Sequence, residues 1–468
     1  MSQARREKLM QLSKEDLVEL VDTVLDEHKK ELARLQEQIV ELKAEIERLK
    51  GPPPNSKNSS MPPSRDFKKN ADGPIVIKKR GAKFGHSMMK RAMVDTPDKM
   101  IEGKLGRCEC GADMTGQRPE HVIRRQITEI PEIKPVVIET RQEVCACGVC
   151  GKRVYGELPA GLGGERAFGP RLEALVVYLR QVHHVSYERC DELLTTFFGV
   201  TMSEGGMSSV TERVGQIAEI RADVIQDAIR KAAVIGSDET GARVDGDNYW
   251  HWVFVSTDAV LHVIDKSRSA NVVKRVMGGA VADVWVSDCW KPQLSAKAHA
   301  RQLCLCHQIR NLEGLIETAP RLRWARQMQA LFRKAIHLGN EREALGNAAF
   351  ERNVRRIEKD LDTLLARQVR NPKADALLTR YRERRDQLLV FLHDERVPAH
   401  NNDAERALRS SVIHRRVTGG FRSRWGPRAY AALASVIDTA KLAGKTAYQA
   451  IIGPVSYTHL TLPTNREV

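Results

Sequence analysis

Ala232-Ala-Val-Ile-Gly-Ser-Asp238, Tyr249-Trp-His-Trp-Val-Phe-Val-Ser256, Val260-Leu-His-Val-Ile264 and Val281-Ala-Asp-Val-Trp-Val-Ser-Asp288 are the runs on which the reading of this chain turns. Each is short and rich in β-branched or aromatic residues. Turn formers such as Gly246, Asp247, Thr257 and Asp258 separate them, so they read as strands. A helix is expected over Ser269–Met277, between the third run and the fourth. Asp238 and Asp288 each stand where an apolar strand is expected to leave the core, and carboxylates at strand ends can converge on one point.

Three strands, a helix and a fourth strand ending in an acid match the order of a ribonuclease-H-like fold, in which neighbouring strands present two Asp residues to metal. A third carboxylate then comes from a later helix. Glu405 suits that place, because Ala404, Leu408 and Val412 can lie inward while Asn401, Asn402, Arg406 and Arg409 flank the acid. Three acids can hold two Mg²⁺ (or Mn²⁺) ions without saturating them, since these ions take hard oxygen ligands and keep water-filled positions. Two ions roughly 3.5 to 4 Å apart stabilise the attacking and leaving oxygens of an in-line displacement at phosphorus. Taken singly, each acid also fits a turn former, a cap or a solvated surface group.

The fold class expected is therefore α/β and multidomain: a ribonuclease-H-like catalytic core over 232–453, with a helical insertion at about 308–395. In that insertion Trp324, Met328, Leu331 and Ala335 form one apolar stripe, and Ile357, Leu361, Leu364 and Leu365 another, while Asn371-Pro372 separates two helices. Residues 156–231 read as helical. The break at Gly199, followed by a helix from Ser203 carrying Met207, Val210, Val214 and Ile217, is compatible with a helix-turn-helix, although helix pairs broken by glycine are common.

Ahead of these, residues 1–50 read as a coiled coil, opened by Ser13 with Asp16 and closed by Gly51 and three prolines. Leu32, Ile39 and Ile46 recur every seven residues, and so do Leu35, Leu42 and Leu49, which is the seam of a self-associating helix; the alternative is a helix packed on its own domain. Residues 51–104 form a basic linker. Over 105–155, Cys108, Cys110, Cys147 and Cys150 make two knuckle-like pairs suited to one structural Zn²⁺, with Val136, Ile138 and Thr140 expected in strands between them. Cys145 is a spare that can replace a neighbour, and buried free thiols are the alternative. Cys304 and His307, with no second pair beside them, are read as packing and orienting groups rather than as ligands. The stretch Val455–Thr464 reads as a translated sequencing adaptor, so 454–468 is expected to be a non-native tail.

The chain has 468 residues with 75 Lys and Arg against 60 Asp and Glu, a formal charge of +15 that favours a polyanionic partner, above all double-stranded DNA. Lys78, Lys79, Arg80, Lys83, Lys90 and Arg91 before the core, and Arg406, Arg409, Arg415, Arg416, Arg422, Arg424 and Arg428 around and after Glu405, are the candidate phosphate contacts. Gly419 and Gly420 would let main chain approach DNA closely. No apolar run of membrane-spanning length and no signal peptide is recognisable, so a cytoplasmic, nucleoid-associated protein is expected, with no membrane partner.

From about Leu17 to Lys445 the chain resembles transposases of the insertion sequence 66 family. The resemblance is carried by the zipper-like N-terminus, Ile130-Pro131-Glu132, Asp238-Glu239-Thr240, Trp250-x-Trp252-Val253, Ser287-Asp288, Cys304-x-x-His307, Asn401-Asn402-x-x-Glu405-Arg406-x-Leu408-Arg409 and Thr418-Gly419-Gly420-x-x-Ser423. It implies a DDE transposase that cuts the ends of an insertion sequence and joins the 3′ hydroxyls to target DNA. By position its three acids fall on Asp238, Asp288 and Glu405. Cys289-Trp290 stands where the family has its usual small-aromatic pair. Expected partners are the element's inverted ends and target DNA, a second copy through the coiled coil, and helper proteins of the same element. Two other readings stand beside this one: a nuclease of the same fold without strand transfer, and an inactive or accessory DNA-binding protein.

Overall fold

The structure, a computed structural model, describes residues 13–50, 91–158 and 167–457. Contacts divide the chain into two units, one of Met1–Phe67, Glu139–Glu192 and Met202–Val468, the other of Lys68–Ile138 and Leu193–Thr201.

The first unit opens with helix α1, Lys14–Lys50. It begins as the sequence leads one to expect, with Asp16 N–H donating to Ser13 Oγ at 3.2 Å while the Ser13 main-chain N–H and hydroxyl turn to the Asp16 carboxylate. Leu32, Leu35, Ile39 and Leu42 lie exposed along it, whereas the side chains of Ile46 and Leu49 fall outside the described residues. Strands β1 (Val144–Ala146) and β2 (Arg153–Tyr155) form a small antiparallel hairpin. In the other unit, the alternation at Val136 and Ile138 does not make a strand. Pro131 and Pro135 remove ladder donors there, and the valine and isoleucine side chains are exposed rather than packed on a sheet face.

Helices α2 (Pro170–Gln181), α3 (Tyr187–Phe198) and α4 (Glu204–Lys231) follow, with Ser203 capping α4 through its hydroxyl. A five-stranded sheet comes next: β3 (Val234–Val244), β4 (Asp247–Val255), β5 (Val260–Asp265), then α5 (Ala270–Met277), β6 (Ala282–Ser287), the single turn α6 (Lys291–Leu294) and β7 (Ala298–Leu303). Its spatial order is β5-β4-β3-β6-β7; β3, β4 and β5 are antiparallel neighbours, and β6 and β7 run parallel to β3. Strand β7 lacks a recognisable pattern because Ala-His-Ala-Arg-Gln-Leu carries a single large apolar residue at a sheet edge.

The sheet's two faces follow from period 2. Trp252 and Phe254 pack with Ile229, Val272, Val276 and Trp285 beneath α4 and α5, while Val253 and Val255 meet Ala404 and Leu408 on the opposite side. After β7 the chain makes the helical insertion: α7 (Leu305–Thr318), α8 (Arg323–Asn340), α9 (Asn347–Leu365) and α10 (Pro372–Glu383), then two short 3₁₀ turns ending at Leu392. The two expected stripes are buried together with Val284, Val286 and Leu303 of the sheet. Asn371 caps α10, its side chain accepting from Ala374 N–H at 3.1 Å.

The chain closes with α11 (Asn402–Thr418), α12 (Gly426–Leu442) and α13 (Ala447–Tyr457). Val210, Val214 and Ala218 of α4 share one core with Leu433, Val436 and Ile437 of α12 and with Ile451 and Val455 of α13. That core runs across the boundary expected near residue 231. It also takes in Val455, inside the stretch read as tail; residues 458–468 lie outside the described residues.

Candidate active site

Strand β3 does not stop at Asp238 but runs six residues further, so this acid sits mid-strand. What ends at Gly236 is the parallel pairing with β6, and Asp238 is the second residue beyond it. The expected strand end at Asp238 is therefore corrected to the end of the β3–β6 ladder, whereas Asp288 does follow the end of its strand. Asp238 pairs with Val253, which puts its carboxyl on the face covered by α11; Glu239 pairs with Trp252 and faces the other way. Asp288 directly follows β6, and its Oδ1 accepts from Trp290 N–H at 2.8 Å. Glu405 lies in the first turn of α11, where the helix dipole favours an acid.

The start of α11 is tied to both strands. Asn401 donates from its side chain to Ser237 O at 2.7 Å and from its main chain to Cys304 Sγ at 3.2 Å, while Cys304 N–H donates to Ser287 O at 2.9 Å. A Cβ on Gly236 would meet Asn401 Oδ1 at 2.9 Å, so glycine is needed for this approach.

Burial, followed by the charges of Glu239, Asp288 and Glu405, holds the Asp238 carboxyl well above the usual carboxylate range; only the Glu239 N–H, donating at 2.9 Å, opposes them. Asp238 thus feels both of the other acids. Glu239 is raised by burial and by Asp288, against Arg268 and Gln293, which both donate to it. Arg268 in turn lies between the Trp250 and Trp290 rings, 4.2 and 4.0 Å from their centroids. Trp290, of the Cys289-Trp290 pair that follows Asp288, therefore closes a clamp beside the second acid.

Glu405 has two further neighbours: Arg310 at 3.3 Å on one oxygen and His307 Nδ1 at 3.5 Å from the other. Burial pulls His307 down, but Cys304, Glu405 and Asp288 outweigh it and leave the imidazole above its ordinary value. Hydrogen bonding to Cys306 and burial push the Cys304 thiol up to about 12, and the same contact brings Cys306 down to about 7. Arg268, Gln293 and Arg310 carried no signal of their own in the sequence; the Trp250, Trp252 and Cys304-x-x-His307 motifs beside them were the nearest clue.

The basic candidates divide. Arg91, Arg406, Arg409, Arg416, Arg422, Arg424 and Arg428 are exposed, and Arg406 pairs with Asp403 at 3.7 Å. Arg415 is half-buried and donates to Gly241 O, pinning α11 to β3. Lys78, Lys79, Arg80, Lys83 and Lys90 lie outside the described residues. Gly419 and Gly420, expected to admit DNA, are used by the fold: both have positive φ, and a Cβ on Gly420 would meet the Arg243 carbonyl at 2.7 Å, where Phe421 bonds back to β3.

Each cysteine pair makes a tight turn. Cys108 N–H donates to Ala112 O and Gly111 N–H to Cys108 O; Cys147 N–H donates to Lys152 O and Gly151 N–H to Cys147 O, with Gly111 and Gly151 both at positive φ. Cys110 is lowered by the Ala112 main chain and Cys108, Cys147 by the main chains of Cys150 and Val149 and by the Cys150 thiol. Cys145 lies in β1 instead. Cys108 and Cys110 belong to one unit, Cys147 and Cys150 to the other.

These features belong to a protein built around acids on a mixed sheet with a helical insertion, and comparison with known families names the class. The model of the Transposase IS66 family matches residues 165–429, and the chain belongs to that family. The uncharacterized protein y4jO of Sinorhizobium fredii (strain NBRC 101917 / NGR234) is 32% identical over 155 residues, covering 30% of this chain and 44% of that protein. The match thus spans less than half of that relative. No helix among the described residues is long and apolar enough to cross a membrane.

Proposed function

We propose that the chain is a DDE transposase with a ribonuclease-H-like core, in which Asp238, Asp288 and Glu405 hold two Mg²⁺ (or Mn²⁺) ions. The observation that carries this reading is the sheet order β5-β4-β3-β6-β7, with one acid on β3, the sheet's first strand in chain order, one just after β6, its fourth, and Asp238 electrostatically coupled both to Asp288 and to Glu405 on α11. The donor set fits hard cations: it is three carboxylates, and burial and the charges of its neighbours raise Asp238 well above the usual carboxylate range, a cost that bound positive charge would relieve. Bound there, the ions would activate water or a 3′ hydroxyl and stabilise the leaving oxygen. Asn401 fixes α11 against β3, Arg268, held between Trp250 and Trp290, pairs with Glu239 and offsets its charge beside the acids, and the exposed arginines of α11 and the loop after it would bind phosphates.

In the same reading Cys108, Cys110, Cys147 and Cys150 bind one structural Zn²⁺, and α1 associates with α1 of a second copy through its exposed seam. The partners are the element's inverted ends and target DNA in the bacterial nucleoid, with helper proteins of the element as further candidates. The test is a strand-transfer assay with oligonucleotide ends and Mg²⁺. Wild type should cut and join. Asp238→Ala, Asp288→Ala and Glu405→Ala should bind DNA without cutting, and full cleavage by all three would refute the assignment. Cutting without joining would favour the nuclease reading.

A further inference from the structure

Glu405 stands between two donor sets of different chemistry. Toward the sheet are the carboxylates of Asp238 and Asp288. Toward α7 are a thiol and an imidazole: Cys304 Sγ, a ring nitrogen of His307 and an oxygen of Glu405 all lie within 4.8 Å of one another. His307 Nδ1 and Glu405 Oε1 are buried, have no hydrogen-bond partner, and face each other across 3.5 Å. Buried polar atoms are rarely left so, and a cation between them would satisfy both. Asn401 N–H already points at Cys304 Sγ from 3.2 Å, a contact that would steady a thiolate. Cys304 and His307 are three residues apart at the start of one helix and so share a face. One sulfur, one nitrogen and one oxygen with a fourth position open suit a tetrahedral, thiophilic dication; Mg²⁺, which demands oxygen, would not choose them.

We propose that Cys304, His307 and Glu405 form a site for a thiophilic divalent cation of the Zn²⁺ type, and that filling it draws Glu405 away from Asp238 and Asp288. The second half rests on the assignment of Glu405 as the third catalytic acid; the site itself does not. Arg310 opposes occupation. It lies 3.3 Å from Glu405 Oε2 and donates to His307 Nε2 at 3.4 Å, so it repels a cation and favours the tautomer whose Nδ1 carries the proton. Metal binding through Nδ1 needs that contact to open.

The reduced, chelator-stripped full chain, without DNA, is titrated with Co²⁺ alone, reading metal bound per chain and the sulfur-to-metal charge-transfer absorption. Wild type should bind one equivalent more than Cys304→Ala or His307→Gln, whatever the cysteine pairs near the N-terminus take up, since these are common to all three chains. Arg310→Gln, which keeps every ligand, should bind that equivalent several-fold more tightly. Equal uptake by wild type and both ligand variants overturns the site. Should a ligand variant lose its far-ultraviolet circular dichroism, Arg310→Gln decides: tighter binding supports the site, and unchanged or weaker binding overturns it. Zn²⁺ added to a Mg²⁺-dependent cleavage reaction should slow it at the concentration that fills the site, and undiminished cleavage with the site full overturns the withdrawal of Glu405. Failure of the transposase reading would show differently, as absent cleavage before any Zn²⁺ is added.

Discussion

From Pro170 onward most large apolar side chains point inward, with Phe197, Val224 and Val417 among the exposed exceptions: Trp252, Trp285 and Phe254 are wholly buried, and three cores account for most of the helices. From residue 91 to residue 158 no side chain is buried, and Ile127 and Val137 are more than nine-tenths exposed. The first region is stabilised by its own hydrophobic burial. Among the described residues the second has no comparable core, and its order rests on the β1–β2 hairpin and the two cysteine turns. The leucine seam of α1, exposed in the same way, belongs with the second region. The chain thus pairs a region with its own hydrophobic cores and a region, 91–158, in which no described side chain is buried.

The largest effect expected is in the self-sufficient region. Asp238→Ala should lower Mg²⁺-dependent cleavage by on the order of 10³-fold or more while leaving assembly unchanged. Asp238→Asn sharpens the contrast, since removing a carboxylate that three acids and burial disfavour should raise the thermal midpoint of the metal-free protein as activity disappears. A lowered midpoint would mean that the site is not strained as described.

Next comes metal removal. A chelator strong enough for thiolate sites should expose residues 91–158 to protease and leave 170–457 resistant, because only the former lacks a core. Simultaneous digestion of both regions would break the comparison. Smaller again, Leu35→Asp with Ile39→Asp should weaken self-association at least about 10-fold, read by sedimentation, without shifting the unfolding of the core.

How far the sequence foretold this depends on which region carried the signal. The apolar runs at 249–256, 260–264 and 281–286 became β4, β5 and β6 nearly as bounded, because they are short, near-continuous apolar runs that end up largely buried on both faces of the sheet. The first run was cut short at Asp238, since Asp-Glu-Thr-Gly-Ala-Arg lacks apolar alternation. The strand continues there because its antiparallel ladder with β4 runs unbroken from Asp238 opposite Val253 to Val244 opposite Asp247, main-chain pairing that side-chain pattern does not record. Asp238, Asp288 and Glu405 could be picked out by type and motif. Arg310, 95 residues from Glu405 in the chain, could not, because long-range proximity leaves no local mark. The same limit hid the Cys304–His307–Glu405 group: the pair was seen, and its third member was assigned elsewhere.

The smallest effect tests whether acid sensitivity also belongs to the buried region. His414 packs between Phe421 and Tyr430, with ring centroids 4.8 and 4.6 Å away. Burial, then the charges of His184 and Arg180, hold its pKa down at about 3. Above pH 6.5 the ring is neutral folded or unfolded and contributes nothing to pH dependence. As pH falls below 6.5 the unfolded chain takes a proton that the native state refuses, so stability is lost at about 1.4 kcal/mol per pH unit until the folded pKa is reached. His184 and His251, also lowered by burial, act with the same sign. Asp238 and Glu239, held up, act with the opposite one and regain stability as acid discharges them. Comparing His414→Phe with wild type cancels those shared contributions and keeps an aromatic ring in place. Urea unfolding should give the variant about 2 kcal/mol more relative stability at pH 5 than at pH 7. An identical difference at both values would mean that His414 is protonated in the native state, and that the pocket around it is wetter than its packing implies.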